Sequence, residues 1–217
     1  MQFIKSPTHK SNIHGKMKAV THIVLHASGR SKWATDEQEL SYLRSEHSSR
    51  FCYHDYLMGN GDWHELAALD DWLWHVGDVK WQGVFSNWND NSYGVALAGE
   101  NLPSSLYPPV QYNNLIKGLA VRCAQLKLDS SKVIGHKELS AYRGKSDPAA
   151  FDMDKFRADL GYELGKSSAA ESPQDSLNKA KRDTIVIERK EGLEVVYRGD
   201  FLVTDFPKTG KIHVREI

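Results

Sequence analysis

Cysteine is scarce: two in 217 residues, Cys52 and Cys123, cannot build a disulfide framework, and each lies in an apolar run where a small thiol packs as core. Charge of one sign is not in excess, because 28 Lys and Arg are matched by 28 Asp and Glu. Broad contact with nucleic-acid phosphates or anionic lipid favours a basic surplus, so neither is an expected partner. No run reaches the roughly 18 to 20 apolar residues that cross a bilayer, and MQFIKSPTHKSN at the start lacks the apolar stretch of a secretory signal. The expectation is a chain made in the cytoplasm, with no signal peptide and no membrane insertion. Its length allows one well-buried domain and a small appendage.

What is present reads as alternating strands and helices. THIVLHAS, residues 21–28, is short, β-branched and apolar, a buried strand that delivers His26 to its end. Thr35 with Gln38 forms a capping box for a helix over about 36–47. FCYHDYLMGNGDWHEL, residues 51–66, is a β-hairpin around Gly59-Asn60-Gly61, whose residues tolerate positive φ. SYGVALAG, residues 92–99, is another buried strand. Pro108-Pro109 opens a helix with Tyr112, Leu115, Leu119, Cys123 and Leu126 on one face, which should cover the sheet. A short strand at 132–134 and a closing helix at FDMDKFRADL complete a mixed α/β domain, a central sheet flanked by helices, over residues 1–164. Residues 165–182 are small, polar and unpatterned, as in a linker. Residues 183–217 hold short β-type runs, an appendage too small to bury much core alone.

Zinc favours a few nitrogen, sulfur or carboxylate ligands, and a hydrolytic site leaves one position open for water. His26 at a strand end, His136 after the strand KVIG, and Asp147 eleven residues later in a loop fixed by Pro148 are the candidates. Ten histidines offer many chance triplets, so spacing alone is a weak signal.

The ordered segments IVLHAS, YHDYLMGNGDWHEL, WHVG, NDNSYGVALAGEN and GHKELSAYRGKSDPAAFD resemble the type 2 N-acetylmuramoyl-L-alanine amidase family over roughly residues 18–160. That resemblance implies a zinc site at one sheet edge with His26, His136 and Asp147 as ligands. It implies Lys145 and Tyr53 as catalytic groups that steady the charge on the attacked carbonyl. It also implies action on bacterial peptidoglycan or muropeptides, at the amide joining N-acetylmuramic acid to L-alanine. His75 in WHVG, Trp74 beside it and Asn91 in NDNSYG are expected to bind substrate, His75 alternatively as a partner of a ligand.

Two departures matter. Ala96 stands where the recycling amidases carry a catalytic glutamate, which leaves Tyr53, Asp147 and Glu100 as alternatives for the base. Arg143-Gly144 precedes the motif lysine with one residue more than usual. The glutamate-free pattern favours a phage endolysin acting on the wall after holin-type release. A cytosolic muropeptide-recycling amidase and a non-catalytic peptidoglycan-binding module are the alternatives. His22 shares the strand face of His26 but is not expected to be a ligand, and His54 and His64 are expected only to build the hairpin. The oligomeric state is not legible.

Overall fold

The computed structural model describes residues 2–29, 35–48, 52–101, 106–139, 144–149 and 151–168, and the backbone of three later strands. In chain order the elements are β1 (Phe3–Lys5), β2 (His22–Ala27), α1 (Asp36–Leu43), β3 (Asp55–Leu57), β4 (Trp63–Glu65), β5 (Asp78–Trp81), β6 (Val84–Asn87) and β7 (Ser92–Leu97). There follow α2 (Pro109–Leu126), β8 (Val133–Gly135), α3 (His136–Leu139), α4 (Met153–Ser168), β9 (Thr184–Glu188), β10 (Glu194–Arg198) and β11 (His213–Glu216). Thr35 caps α1 by accepting from the Gln38 amide, and the helix ends at Leu43 rather than near residue 47; a separate 3-10 turn, Glu46–Ser48, follows.

Six strands form one sheet in the order β1-β4-β3-β7-β2-β8. Every neighbouring pair is parallel except the β3–β4 hairpin, so the fold is mixed α/β with a mostly parallel central sheet. Strand alternation then assigns the faces. Ile23, Leu25, Leu57, Tyr93, Val95 and Leu97 pack with Leu115, Leu119 and Cys123 of α2 and Phe156 and Leu160 of α4. On the opposite face Tyr56, Ala96 and Ala98 pack with Leu40 and Leu43 of α1, while Val24 joins Val76, Val79, Ile134 and Leu139. Both cysteines are buried, and neither is in a disulfide.

Arg122, only 3% exposed, locks α2 onto the hairpin. Its guanidinium donates to both oxygens of Asp55, at 2.7 and 3.0 Å, and to Glu65 at 2.8 Å. Two elements go beyond the sequence reading: β1, which adds to β4, and the β5–β6 hairpin, turned by Gln82 and Gly83 at positive φ. Helix α4 also continues through residues 165–168, which the sequence reading gave to the linker.

By its contacts the chain divides into two units, Met1–Ser167 and Ser168–Ile217. The second contains a three-stranded antiparallel sheet, β10-β9-β11.

Candidate active site

The parallel strands β2, β7 and β8 deliver their carboxyl ends to one side of the sheet, where α/β folds place ligands. His26 is the penultimate residue of β2, and His136 follows immediately on the edge strand β8. Asp147 arrives from the loop 144–149. Donor atoms of these three residues lie within 4.8 Å of one another. The carboxylate of Asp147 is 3.1 Å from Nδ1 of His26 and 3.1 Å from Nδ1 of His136. The rings of His26 and His136 meet edge to face, their centroids 4.5 Å apart.

The tautomers follow from one backbone carbonyl. Ser92 O lies 3.0 Å from Nε2 of His75, so that nitrogen carries the proton and donates. Burial, with His26 and His54 nearby, holds His75 well below the usual histidine range, so the ring is neutral and its Nδ1 only accepts. His26 Nε2, 3.2 Å away, must then donate to it. Burial, with His136 next, pushes His26 down to about 4, so it too is neutral, and its Nδ1 presents a lone pair to Asp147. Burial alone would raise Asp147, but the imidazoles of His136 and His26 beside it outweigh burial and keep the carboxyl well below its usual range. Two acceptors converging at 3.1 Å repel unless a cation sits with them. Two imidazoles and a carboxylate are a donor set suited to zinc, and the residues fit that ion.

Above this floor opens a cleft of about 400 Å³, bordered by Ser28, Tyr53, Trp74, His75, Asp78, Asn101 and Lys145 as well as the three candidate ligands. Tyr53 is buried with its ring 5.1 Å from His26, and burial, then the Asp147 and Glu39 carboxylates, raise its phenol, so it stays a proton donor. Trp74 is 40% exposed on the rim, edge to face with Trp72. His75 serves as hydrogen-bond partner to His26 and also borders the cleft. The structure therefore brings together His26, His136, Asp147, Lys145, Tyr53, His75 and Trp74.

Asn91 lies apart from these residues. It precedes β7 at the end paired with His22, whereas the cleft is at the end paired with His26, and it is not among the cleft walls. Strand geometry separates residues 91 and 96 by about 16 Å. Glu100 borders a separate hollow of about 290 Å³. His22 stacks at a tilt on Trp88, away from the cleft. Arg143 lies outside the described residues.

Several supporting residues escaped the sequence reading. Asn89, fully buried, accepts from three successive amides, those of His75, Val76 and Gly77, and so shapes the wall that carries His75. Asn101 brackets Asp147 by donating to Ser146 Oγ at 2.9 Å and accepting from the Ala149 amide at 2.8 Å. The Lys137 amide donates to the Asp147 carbonyl at 2.7 Å. His54, expected to be only a hairpin residue, is buried, accepts from the Gly94 amide and stacks on Tyr93. Gly94 was the readable signal, since a glycine inside a buried strand marks close approach: a Cβ there would lie 2.7 Å from His75 Nδ1.

Solved structures share this fold at low identity. A selenomethionine derivative of AmpD is 19% identical, covering 72% of this chain and 93% of that one at a TM-score of 0.59. A mutant endolysin from Bacillus subtilis is 20% identical, covering 74% and 99% at 0.58. The Staphylococcus aureus hydrolase AmiA, in complex with its ligand, is 16% identical, covering 80% and 88% at 0.61. No curated protein matches the chain. The model of the N-acetylmuramoyl-L-alanine amidase family matches residues 16–150, more than half of the sequence, and the chain belongs to that family.

Proposed function

We propose that this chain is a zinc-dependent hydrolase of the amide between N-acetylmuramic acid and L-alanine in bacterial peptidoglycan, acting on the intact wall as a phage endolysin does. The observation that carries the reading is the convergence of His26, His136 and Asp147 on the floor of an open cleft that also holds Lys145 and Tyr53. Bound by those three residues, zinc supplies Lewis acidity toward a carbonyl or a water.

The rest of the chemistry belongs to the chain. As the amide carbon becomes tetrahedral its oxygen gains a negative charge that the ground state lacks. Lys145 offers a cation and Tyr53 a phenolic proton, so both interactions strengthen at the moment of reaction. Asp147 stays anionic and His26 neutral, the states in which they donate lone pairs. His75 fixes the His26 ring and Asn101 fixes the loop that carries Asp147 and Lys145. Trp74 offers an exposed aromatic face to a sugar ring at the rim.

The test is release of L-alanine-headed peptides from purified sacculi by the wild type, by a chelator-stripped sample with and without added zinc, and by His136→Ala. Zinc-restored release that His136→Ala lacks supports the hydrolase. Tight wall binding without release in any sample would make the chain a recognition module. Turnover of soluble anhydro-muropeptides with intact sacculi left uncut would move the setting from the wall to recycling.

A further inference from the structure

The cleft wall carries a hydroxyl wired to a buried carboxylate. Ser28 lies two residues beyond His26 and borders the cleft. Its Oγ donates to Glu39 Oε2 at 2.9 Å. Glu39 belongs to α1 and is 2% exposed, and the same oxygen accepts from Tyr56 Oη at 2.7 Å. Strand register sets His26, Ala96 and Tyr56 side by side across β2, β7 and β3. Helix α1 covers that row, with Leu40 and Leu43 packed against Tyr53, Tyr56 and Ala96. A helix that had only to cover apolar side chains would present another leucine at this position, because burying a carboxylate is costly.

Hydrolysis needs an acceptor that fixes the attacking water by one of its O–H bonds. Asp147 is engaged with His26 and His136. Tyr53 is assigned above to the oxyanion, and Ala96 has no polar side-chain atom. Glu100 faces another hollow. Ser28 differs from all of these: its own proton is given to Glu39, so its oxygen has only lone pairs to offer the cleft. We propose that Glu39, acting through Ser28, is a positioning residue that orients the attacking water in the cleft. This rests on the amidase reading above. Without the carboxylate the Ser28 hydroxyl rotates, and the water loses a defined acceptor.

The experiment uses the full chain, zinc-loaded, with muramoyl-L-alanyl-D-isoglutamine as the soluble substrate. kcat, KM, bound zinc and Tm are measured for the wild type, Ser28→Ala, Glu39→Gln, the double variant and Asp78→Asn, which alters another carboxylate of the cleft wall. Asn12→Ala serves as a stability control, since it cuts side-chain bonds to Ser45 and Ser48 just beyond α1, away from the cleft. The expected result is a loss in kcat of about tenfold or more for Ser28→Ala and Glu39→Gln, with KM within about twofold and bound zinc unchanged. The double variant should lose no more than the worse single one, as residues acting in series do. Asn12→Ala should lower Tm and keep kcat. The proposal is overturned if Ser28→Ala keeps kcat within about twofold, if the two losses multiply, or if only Asp78→Asn carries the loss. A wild type that releases no dipeptide would instead sink the amidase reading, and this proposal with it.

Discussion

Gly94→Ala tests whether the hydrogen-bond chain from Ser92 through His75 to His26 governs metal binding. The new methyl carbon would lie 2.7 Å from His75 Nδ1 and 2.9 Å from its Cγ, inside any tolerable contact. The ring cannot retreat freely, because Asn89 pins the His75 amide and Ser92 accepts from Nε2. Displacement therefore gives up the bonds to His26 and to Ser92, at about 1 kcal/mol each. Overpacking adds about 1 to 3 kcal/mol, for a total of about 3 to 5 kcal/mol. His26 also loses the acceptor that fixes its tautomer, which should weaken zinc binding about 10- to 100-fold. Urea denaturation of the metal-free protein and zinc competition against a chromophoric chelator measure the two effects separately. The double variant Gly94→Ala/His75→Ala should be no less stable than His75→Ala alone, since the clash disappears with the ring. A Gly94→Ala protein that unfolds at the wild-type urea midpoint and binds zinc at wild-type affinity would refute the reasoning.

Three further outcomes are expected. Arg122→Met strands Asp55, wholly buried, and should cost about 3 to 5 kcal/mol by urea denaturation while leaving kcat unchanged in the folded fraction, because Arg122 and the cleft are on opposite faces of the sheet. Asn89→Ala should lose stability and zinc affinity together, whereas Asn89→Asp, which keeps the accepting oxygen and drops an amide nitrogen that has no partner, should recover most of both; equal damage would remove Asn89 from its role. His54 is pushed down to about 4, chiefly by burial, below the roughly 6.5 of an unfolded chain, so it binds a proton on unfolding. Its contribution is therefore complete above about pH 6.5 and is lost as the pH falls toward 4, amounting to about 2 kcal/mol between pH 7 and 5; stability of the metal-free protein that stays flat over that range would contradict a buried neutral His54.

Periodicity carried most of the fold. Residues 21–28 and 92–99 are apolar on both faces because α2 and α4 cover one side and α1 and the β5–β6 region the other, and a strand buried on both sides has no polar stripe to confuse the reading. The face of α2 read from Leu115, Leu119 and Cys123 is the one that packs on the sheet. What escaped was short or locally ambiguous. At three residues, Phe3–Lys5 is too brief to show a period, and its partner β4 is 60 residues away. The pair Gln82-Gly83 is a legible hairpin turn, but the runs it joins, DVKW and VFSN, are only four residues each.

The candidate site divides in the same way, and for a physical reason. Side chains whose chemistry is rare in a core, such as a strand-end imidazole or a carboxylate beside proline, stand out in a sequence. The residues that orient them do not, because Asn89, Asn101, Ser92 and Gly94 resemble any turn or strand residue until the backbone brings them within hydrogen-bond range. Asn91 shows the converse: it is a polar residue two positions from Asn89, yet strand direction places it at the far end of β7 from His26. Position along a parallel strand, more than residue type, decides which polar group reaches the cleft. That is why Ser28 and Glu39, ordinary in sequence, are the groups whose removal should separate the chemistry of the cleft from the stability of the fold that holds it.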